Sequence, residues 1–187
     1  MTIQNIKSIF DSSCKTEGLP FGADKLVGYP QSFAHLIYNL ISDLDIKCML
    51  EWGPGFSTLV ELKASKDLLL YSYEEKEKWT TDYRKEFEDK FPELATRLNF
   101  VLETDMDKYV KTTFSDEFFD MILVDGVERQ RCLDRAYDLL KPGGILLLHD
   151  AHTGKASMTK DMIFIGTHKV NGTGEWTNVW VKREGKN

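Results

Sequence analysis

Residues 46–58, Ile46-Lys47-Cys48-Met49-Leu50-Glu51-Trp52-Gly53-Pro54-Gly55-Phe56-Ser57-Thr58, decide the fold. Ile46–Glu51 reads as a strand, two glycines follow, and Ser57–Ala64 reads as a helix. A glycine turn between strand and helix lets backbone approach a ligand and leaves the first helical N–H groups pointing at it. The dinucleotide-binding form of this turn needs a third glycine three residues after the second. Here that position is Thr58, and Glu51 stands two residues before the first glycine. A carboxylate at a strand end suits a ligand carrying an ammonium group better than one carrying a pyrophosphate.

Outward from this turn, strands and helices alternate. Leu68–Tyr73 predicts a second strand, and 76–91 a helix on which Trp79, Tyr83, Phe87 and Phe91 step every four residues, a spacing that reads as core. Pro92 interrupts that helix. Asn99–Leu102 is a third strand, Asp105–Lys111 a short helix, Phe119–Asp125 a fourth strand and Glu128–Leu140 a helix. Lys141-Pro142-Gly143-Gly144 reads as a loop before a fifth strand, Ile145–Asp150. This alternation predicts a parallel sheet covered on both faces, and the apolar runs at 121–124 and 145–148 fit strands buried on both sides. Met162–His168 and Thr177–Arg183 flank Asn171-Gly172-Thr173-Gly174 and predict a hairpin.

Upstream, Ile3, Ile6, Ile9 and Phe10 mark a short amphipathic helix. A loop with Gly18, Pro20, Gly22, Gly28 and Pro30 follows, and the stripe Phe33, Leu36, Ile37, Leu40, Ile41, Leu44 marks a second helix, with Pro30 near its first turn. The expected fold is α/β: a Rossmann-like, doubly wound, mostly parallel sheet with helices on both faces and a C-terminal antiparallel hairpin. The expectation is one domain, with a helical segment at 1–45, the core at 46–150 and the hairpin region at 151–187.

Composition narrows the function. A net charge of -6 weighs against nucleic acid as a partner, and no apolar run is long enough to cross a membrane. Cys14, Cys48 and Cys132 lack metal-ligand spacing, and residues 1–10 offer no signal-peptide core, so a reduced, cytoplasmic protein is expected. The sequence leaves the oligomeric state open, a homodimer being one arrangement.

The segment Glu51-Trp52-Gly53-Pro54-Gly55-Phe56-Ser57 resembles the acidic-x-Gly-x-Gly-x-(Gly or Ser) first motif of class I S-adenosylmethionine-dependent methyltransferases. The second strand ends in Ser72-Tyr73-Glu74-Glu75, placing Glu74 21 residues after Gly53, the distance at which an acid meets a ribose diol. Glu75 is its rival. Glu103-Thr104-Asp105, Val124-Asp125-Gly126 and Leu140–Ile145 also resemble the family, over roughly residues 46 to 150. The resemblance implies S-adenosyl-L-methionine as donor, with Glu51, Gly53, Gly55 and Ser57 at its methionine end, Glu74 on the ribose and Asp105 near the adenine. Asp125 would lie beside the donor as well. On elementary grounds Asp105 is equally a helix cap.

Alignment of an acceptor and removal of its proton are what such chemistry requires. Asp125 after strand four, and His149, Asp150 and His152 after strand five, are the candidate catalytic groups. A histidine base predicts a rate rising through about pH 6 to 7. Strand alternation sets His149 and Asp150 on opposite faces unless the strand has ended. Asp125 and Asp150 also resemble the aspartates of metal-dependent catechol-type O-methyltransferases. Ala151 stands where those carry Asn, so a divalent metal is not favoured. Asp125-Gly126-Val127-Glu128 differs from the Pro-Pro-aromatic motif of base and amide methyltransferases, so a small hydroxyl or carboxyl acceptor is expected. Substrate cover would come from 15–30, 126–131, 151–161 or another subunit. The alternatives are a nicotinamide-dependent oxidoreductase and a methyltransferase-like module that binds without turnover.

Overall fold

The computed structural model describes residues 2–14, 31–170 and 174–185. The glycine- and proline-rich loop at 15–30, and with it the proposed cover and Pro30, lies outside the described residues, as do Asn171, Gly172 and Thr173 of the hairpin loop.

The chain opens with α1 (Ile3–Ser13) and α2 (Gln31–Asp43). It then runs β1 (Cys48–Trp52), α3 (Phe56–Ala64), β2 (Leu69–Glu74), α4 (Glu77–Lys90), α5 (Pro92–Ala95), β3 (Leu98–Leu102) and α6 (Met106–Lys111). β4 (Phe119–Val124), α7 (Arg129–Leu139), β5 (Leu140–Leu148), a 3₁₀ turn at Ala151–Thr153, β6 (Met162–Lys169) and β7 (Trp176–Lys182) complete it. One sheet holds the strands in the order β3-β2-β1-β4-β5-β7-β6. β1 to β5 pair in parallel, and β7 runs antiparallel to both β5 and β6. The expected mostly parallel sheet with a terminal hairpin is therefore what forms.

Alternation along each strand sorts its side chains onto two cores. Met49, Leu70, Leu123, Leu147 and Val179 face α1, α2 and α3, where they meet Ile6, Phe33, Leu36, Leu40 and Val60. Their neighbours Leu50, Ile122, Val124, Leu146, Leu148 and Trp180 face α6 and α7, against Tyr109, Leu133 and Ala136. An interior strand flanked by two helical layers has no wet face, which is why 121–124 and 145–148 are uninterruptedly apolar.

Two expectations need correction. Lys141-Pro142-Gly143-Gly144 is not a loop before strand five: β5 starts at Leu140, which pairs with Phe119. A register irregularity between Phe119 and Met121, with Gly143 at φ +78°, absorbs the turn-like sequence inside the strand. Strand five also ends at Leu148, two residues early, because Asp150 adopts a left-handed conformation at φ 54°.

The chain leaves β1 for β2 and β3 on one side and returns to β4 and β5 on the other, so the connections from the adjacent carboxyl ends of β1 and β4 diverge there, at a topological switch point. Backbones nearly touch there. Gly53 sits at φ +91°, and a Cβ on it would lie 2.6 Å from the Gly126 nitrogen. Gly126 in turn is pressed by the Tyr109 hydroxyl, which would lie 2.2 Å from a Cβ.

Gly53→Ala meets both a forbidden φ and a backbone clash, so it should cost about 2–5 kcal/mol of stability. A Cβ at Gly55 meets no atom of the described residues within 4 Å, so Gly55→Ala should cost about 1 kcal/mol or less. Urea-unfolding midpoints compare the two; equal losses would refute the close-approach account.

Candidate functional site

The turn after β1 is organised by Glu51, which is wholly buried. Ser57 Oγ donates to its Oε1, while Thr58 Oγ1 and Ser72 Oγ donate to Oε2 at 2.7 and 2.6 Å. Thr58 Oγ1 also accepts from the Gly55 N–H at 3.1 Å, closing the glycine turn onto the first turn of α3. Burial pushes the Glu51 carboxyl up to about 7, and the three hydroxyl donors hold it from rising further. The sequence reading sets Glu51 against a ligand; the structure sets it beneath the turn, fastening β1 to α3 and β2.

Above this hub a crevice of about 540 Å³ opens, bordered by Gly53, Gly55, Ser57, Glu74, Asp125 and Trp79 among others. Glu74 is nearly buried, and its Oε1 accepts from the backbone N–H groups of Glu75 and Lys76 at 3.1 and 2.9 Å. Burial pushes its carboxyl up to about 7 against the pull of the Lys76 N–H. Glu75 also lines the crevice, with its carboxylate 3.4 Å from Lys76 Nζ.

Asp105 does not border this crevice. Its side chain accepts from the Asp107 and Lys108 N–H groups and caps α6. Trp79 departs from the expected core role: it is 48% exposed, its indole donates to the Pro54 carbonyl at 3.3 Å, and its ring stacks on Tyr83. Of the four aromatics Phe87 alone, two turns on, is buried. The four-residue spacing was legible, but the stripe drifts around the helix and carries its first member to the crevice mouth.

The strand-end acids meet on the other rim, around a residue the sequence reading passed over. Arg129, in the first turn of α7, donates through Nη2 to Asp125 Oδ1 at 3.1 Å and to Asp150 Oδ2 at 3.3 Å. Its other N–H groups reach the carbonyls of Gly126 and His149. A basic residue at a helix N-terminus opposes the macrodipole, and that mismatch was the available signal.

Asp125 rises to about 8: burial raises it most, Arg129 lowers it, and Asp150 raises it again. Because β5 ends at Leu148, His149 and Asp150 do share the rim, with Nε2 of His149 3.8 Å from Asp150 Oδ1. His152 Nδ1 lies 4.0 Å from the same carboxylate.

His149 does not titrate near neutrality as the sequence suggests. Its ring is buried, stacked 4.3 Å from Phe33, and its Nδ1 is 2.9 Å from the Thr177 hydroxyl. Burial lowers its pKa to about 4. Asp125, His149 and Asp150 present ligand atoms within 4.8 Å of one another, the spacing of a metal cluster. The guanidinium of Arg129 bonds to both carboxylates of that cluster.

No family model and no curated protein matches the sequence. Solved structures do match. Cofactor-bound Rv0187 from MTB superposes at TM-score 0.64 with 14% identity, over 98% of this chain and 90% of that one. The O-methyltransferase TomG from Streptomyces achromogenes, solved in complex with SAM, gives 0.64 and 13%, over 96% and 89%. A SAM-dependent O-methyltransferase from Thermotoga maritima gives 0.58 and 11%, over 88% and 69%. The fold is thus that of the Rossmann-like S-adenosylmethionine-dependent methyltransferases, with seven strands among the described residues.

Near the hub, α3 also buries Glu61, neither of whose carboxylate oxygens has a hydrogen-bond partner among the described residues. Burial, then Glu51 and Asp125, push its pKa well above the usual carboxylate range. Below the unfolded value of about 4.5 both states hold the proton; above it the unfolded chain ionises first, so Glu61 subtracts stability as pH rises. Glu61→Met should therefore stabilise the fold by about 1–3 kcal/mol at pH 7.5 and by much less at pH 4. Urea midpoints at the two pH values check this, and an equal gain at both would exclude a buried neutral carboxyl.

Proposed function

We propose that this chain is an enzyme that transfers a methyl group from S-adenosyl-L-methionine to an oxygen of a small molecule. The observation that carries the reading is the crevice in which the Gly53–Gly55 turn, the start of α3 and the Glu74 carboxyl come together at the switch point. At Gly55 no atom of the described residues lies within 4 Å of where a Cβ would be, as a donor seated on the turn requires. TomG, which shares the fold, was solved with SAM, and that supports the same donor here.

In this reading Gly53, Gly55 and Ser57 border the methionine end from the turn, with Glu51 bracing them from below. Glu74 accepts from the ribose hydroxyls, and its bonds to Glu75 and Lys76 hold it in that orientation. Trp79 closes the mouth. Asp105 is retained as the candidate nearest the adenine through the α6 end of the sheet, though its Oδ1 already serves the helix cap.

The donor supplies a methyl group already activated by its sulfonium. As the acceptor oxygen bonds to that carbon, the carbon–sulfur bond breaks and its electron pair returns to sulfur. The acceptor's proton passes to Asp125, which Arg129 holds on the rim; Asp150 and His149 complete that wall. Arg129 supplies the positive charge that a divalent ion gives catechol-type enzymes, so no metal is invoked. A single reduced, cytoplasmic domain completes the proposal: among the described residues Cys48 and Cys132 form no disulfide, and no described helix is long and apolar enough to cross a membrane.

Calorimetry should show the donor and its demethylated product binding with Kd in the micromolar range, about -8 kcal/mol, and NAD far more weakly. Glu74→Ala should weaken that binding by about 2–3 kcal/mol and Glu75→Ala by much less. Tighter binding of NAD would overturn the donor assignment in favour of an oxidoreductase.

A base must be ionised to act, so with Asp125 raised to about 8 the methylation rate of a hydroxyl acceptor should climb as pH rises through about 8. Asp125→Asn should lower turnover about 100-fold or more with donor affinity nearly unchanged. A climb centred between pH 6 and 7 that survives this substitution would return the role to a histidine, His152 being the exposed one.

A further inference from the structure

Arg129, Gly126 and Val127 border a second cavity as well, of about 480 Å³, so this space shares a wall with the donor crevice. Its other cations are Arg131 and Lys155, and its carboxylates are Glu128 and Asp150. The balance of three cations to two acids runs against the chain's net charge of -6. Two of those cations have counter-charges. Arg129 is matched by Asp125 and Asp150, and Arg131 by Asp107 and Glu128. Lys155 is exposed and forms no ion pair among the described residues.

The placement of these cations has a cost and a support. Arg129 and Arg131 lie in the first turn of α7, which contains no acid. Cations at that end of a helix oppose its dipole. The loop carrying Lys155 is pinned to the same helix. Gln130 donates to the Ser157 carbonyl at 3.1 Å and accepts from the Ser157 N–H at 2.9 Å, and Thr159 donates to Asp134 at 3.0 Å. Lys155 thus borders the same cavity as Arg131, on a loop that side chains fasten in place.

We propose that this cavity receives an oxyanionic group of the methyl acceptor, a carboxylate or a phosphate, held between Arg131 and Lys155. The inference rests on the methyltransferase reading and names its substrate class: a small acid whose methylated oxygen lies toward Asp125. Arg129 stands between the two spaces, bonded to the rim carboxylates, and separates the anion of the acceptor from the acids that serve the reacting oxygen. The anion-binding cations and the base thus act on opposite ends of one molecule.

The test uses protein saturated with S-adenosylhomocysteine and two matched probe pairs, 4-hydroxybenzoate with 4-hydroxybenzamide and phenyl phosphate with phenol. Binding is followed by NMR titration of the backbone amides of 126–131 and 153–157. At least one anionic member should bind about tenfold or more tightly than its neutral partner, and whichever does identifies the carboxylate or the phosphate as the preferred group. In the Arg131→Gln, Lys155→Gln double variant that preference should fall to about threefold or less. Both side chains are exposed, so the fold is retained, and S-adenosylhomocysteine should bind as before. Equal binding within both pairs, or a preference that survives in the double variant, overturns the inference. Failure of S-adenosylhomocysteine to bind the unaltered protein would instead overturn the methyltransferase reading. The same titrations on the free protein then still decide whether the cavity takes anions.

Discussion

Glu51 has no access to water, yet three hydroxyl groups from two other segments converge on its carboxylate. Burying an unpaired carboxylate is strongly unfavourable, and hydrogen bonds to a charged group contribute about 1.5–3 kcal/mol each. Ser57 and Thr58 lie in the first turn of α3, and Ser72 lies near the end of β2, so satisfying this one group fixes where the helix begins and how β2 is presented. The glycine turn hangs between these anchors. Its geometry then permits the approach of Gly53 to Gly126, and that approach brings the ends of β1 and β4 together as one floor of the crevice.

Around this floor several acids crowd into a space with little water: Glu51, Glu61, Glu74 and Asp125 are all pushed upward, with burial the first cause in each case. Arg129 is the main compensation on the rim. One guanidinium bonds to two carboxylates and three carbonyls at once, a geometry that Lys, a single flexible point charge, does not offer. It is held there by the start of α7, so the helix that walls the sheet also sets the electrostatics of the site. The rim can then carry acids close together without collapsing in repulsion.

Periodicity and turn chemistry are local, and most of the architecture follows from them. Unbroken apolar runs at 121–124 and 145–148 signal interior strands, while the Glu51–Ser57 segment and Glu74 signal a crevice at the ends of β1 and β2. Local reading failed where the partner lay far away in sequence. Lys141–Gly144 has the composition of a turn, but Phe119 pairs with Leu140 and draws the start of the segment into β5. Trp79 has the spacing of a core residue, but the crevice lies at the end of its helix. His149 has the chemistry of a neutral-pH base, but Phe33 and Thr177, from opposite ends of the chain, bury and bind it.

The sequence by itself determined the α/β alternation, the order of the strands along the chain, the glycine turn with its acid, and the acids delivered to the strand ends. These depend on residue type and spacing alone. Only the tertiary structure decided which of those acids face the crevice, which lie beneath it, and which titrate. Burial and the position of a single counter-charge govern these properties, and both are set by segments that meet only when the sheet has formed. Arg129 is the clearest instance: four residues from Asp125 in the chain, it becomes the partner of Asp150 only once β4 and β5 lie side by side.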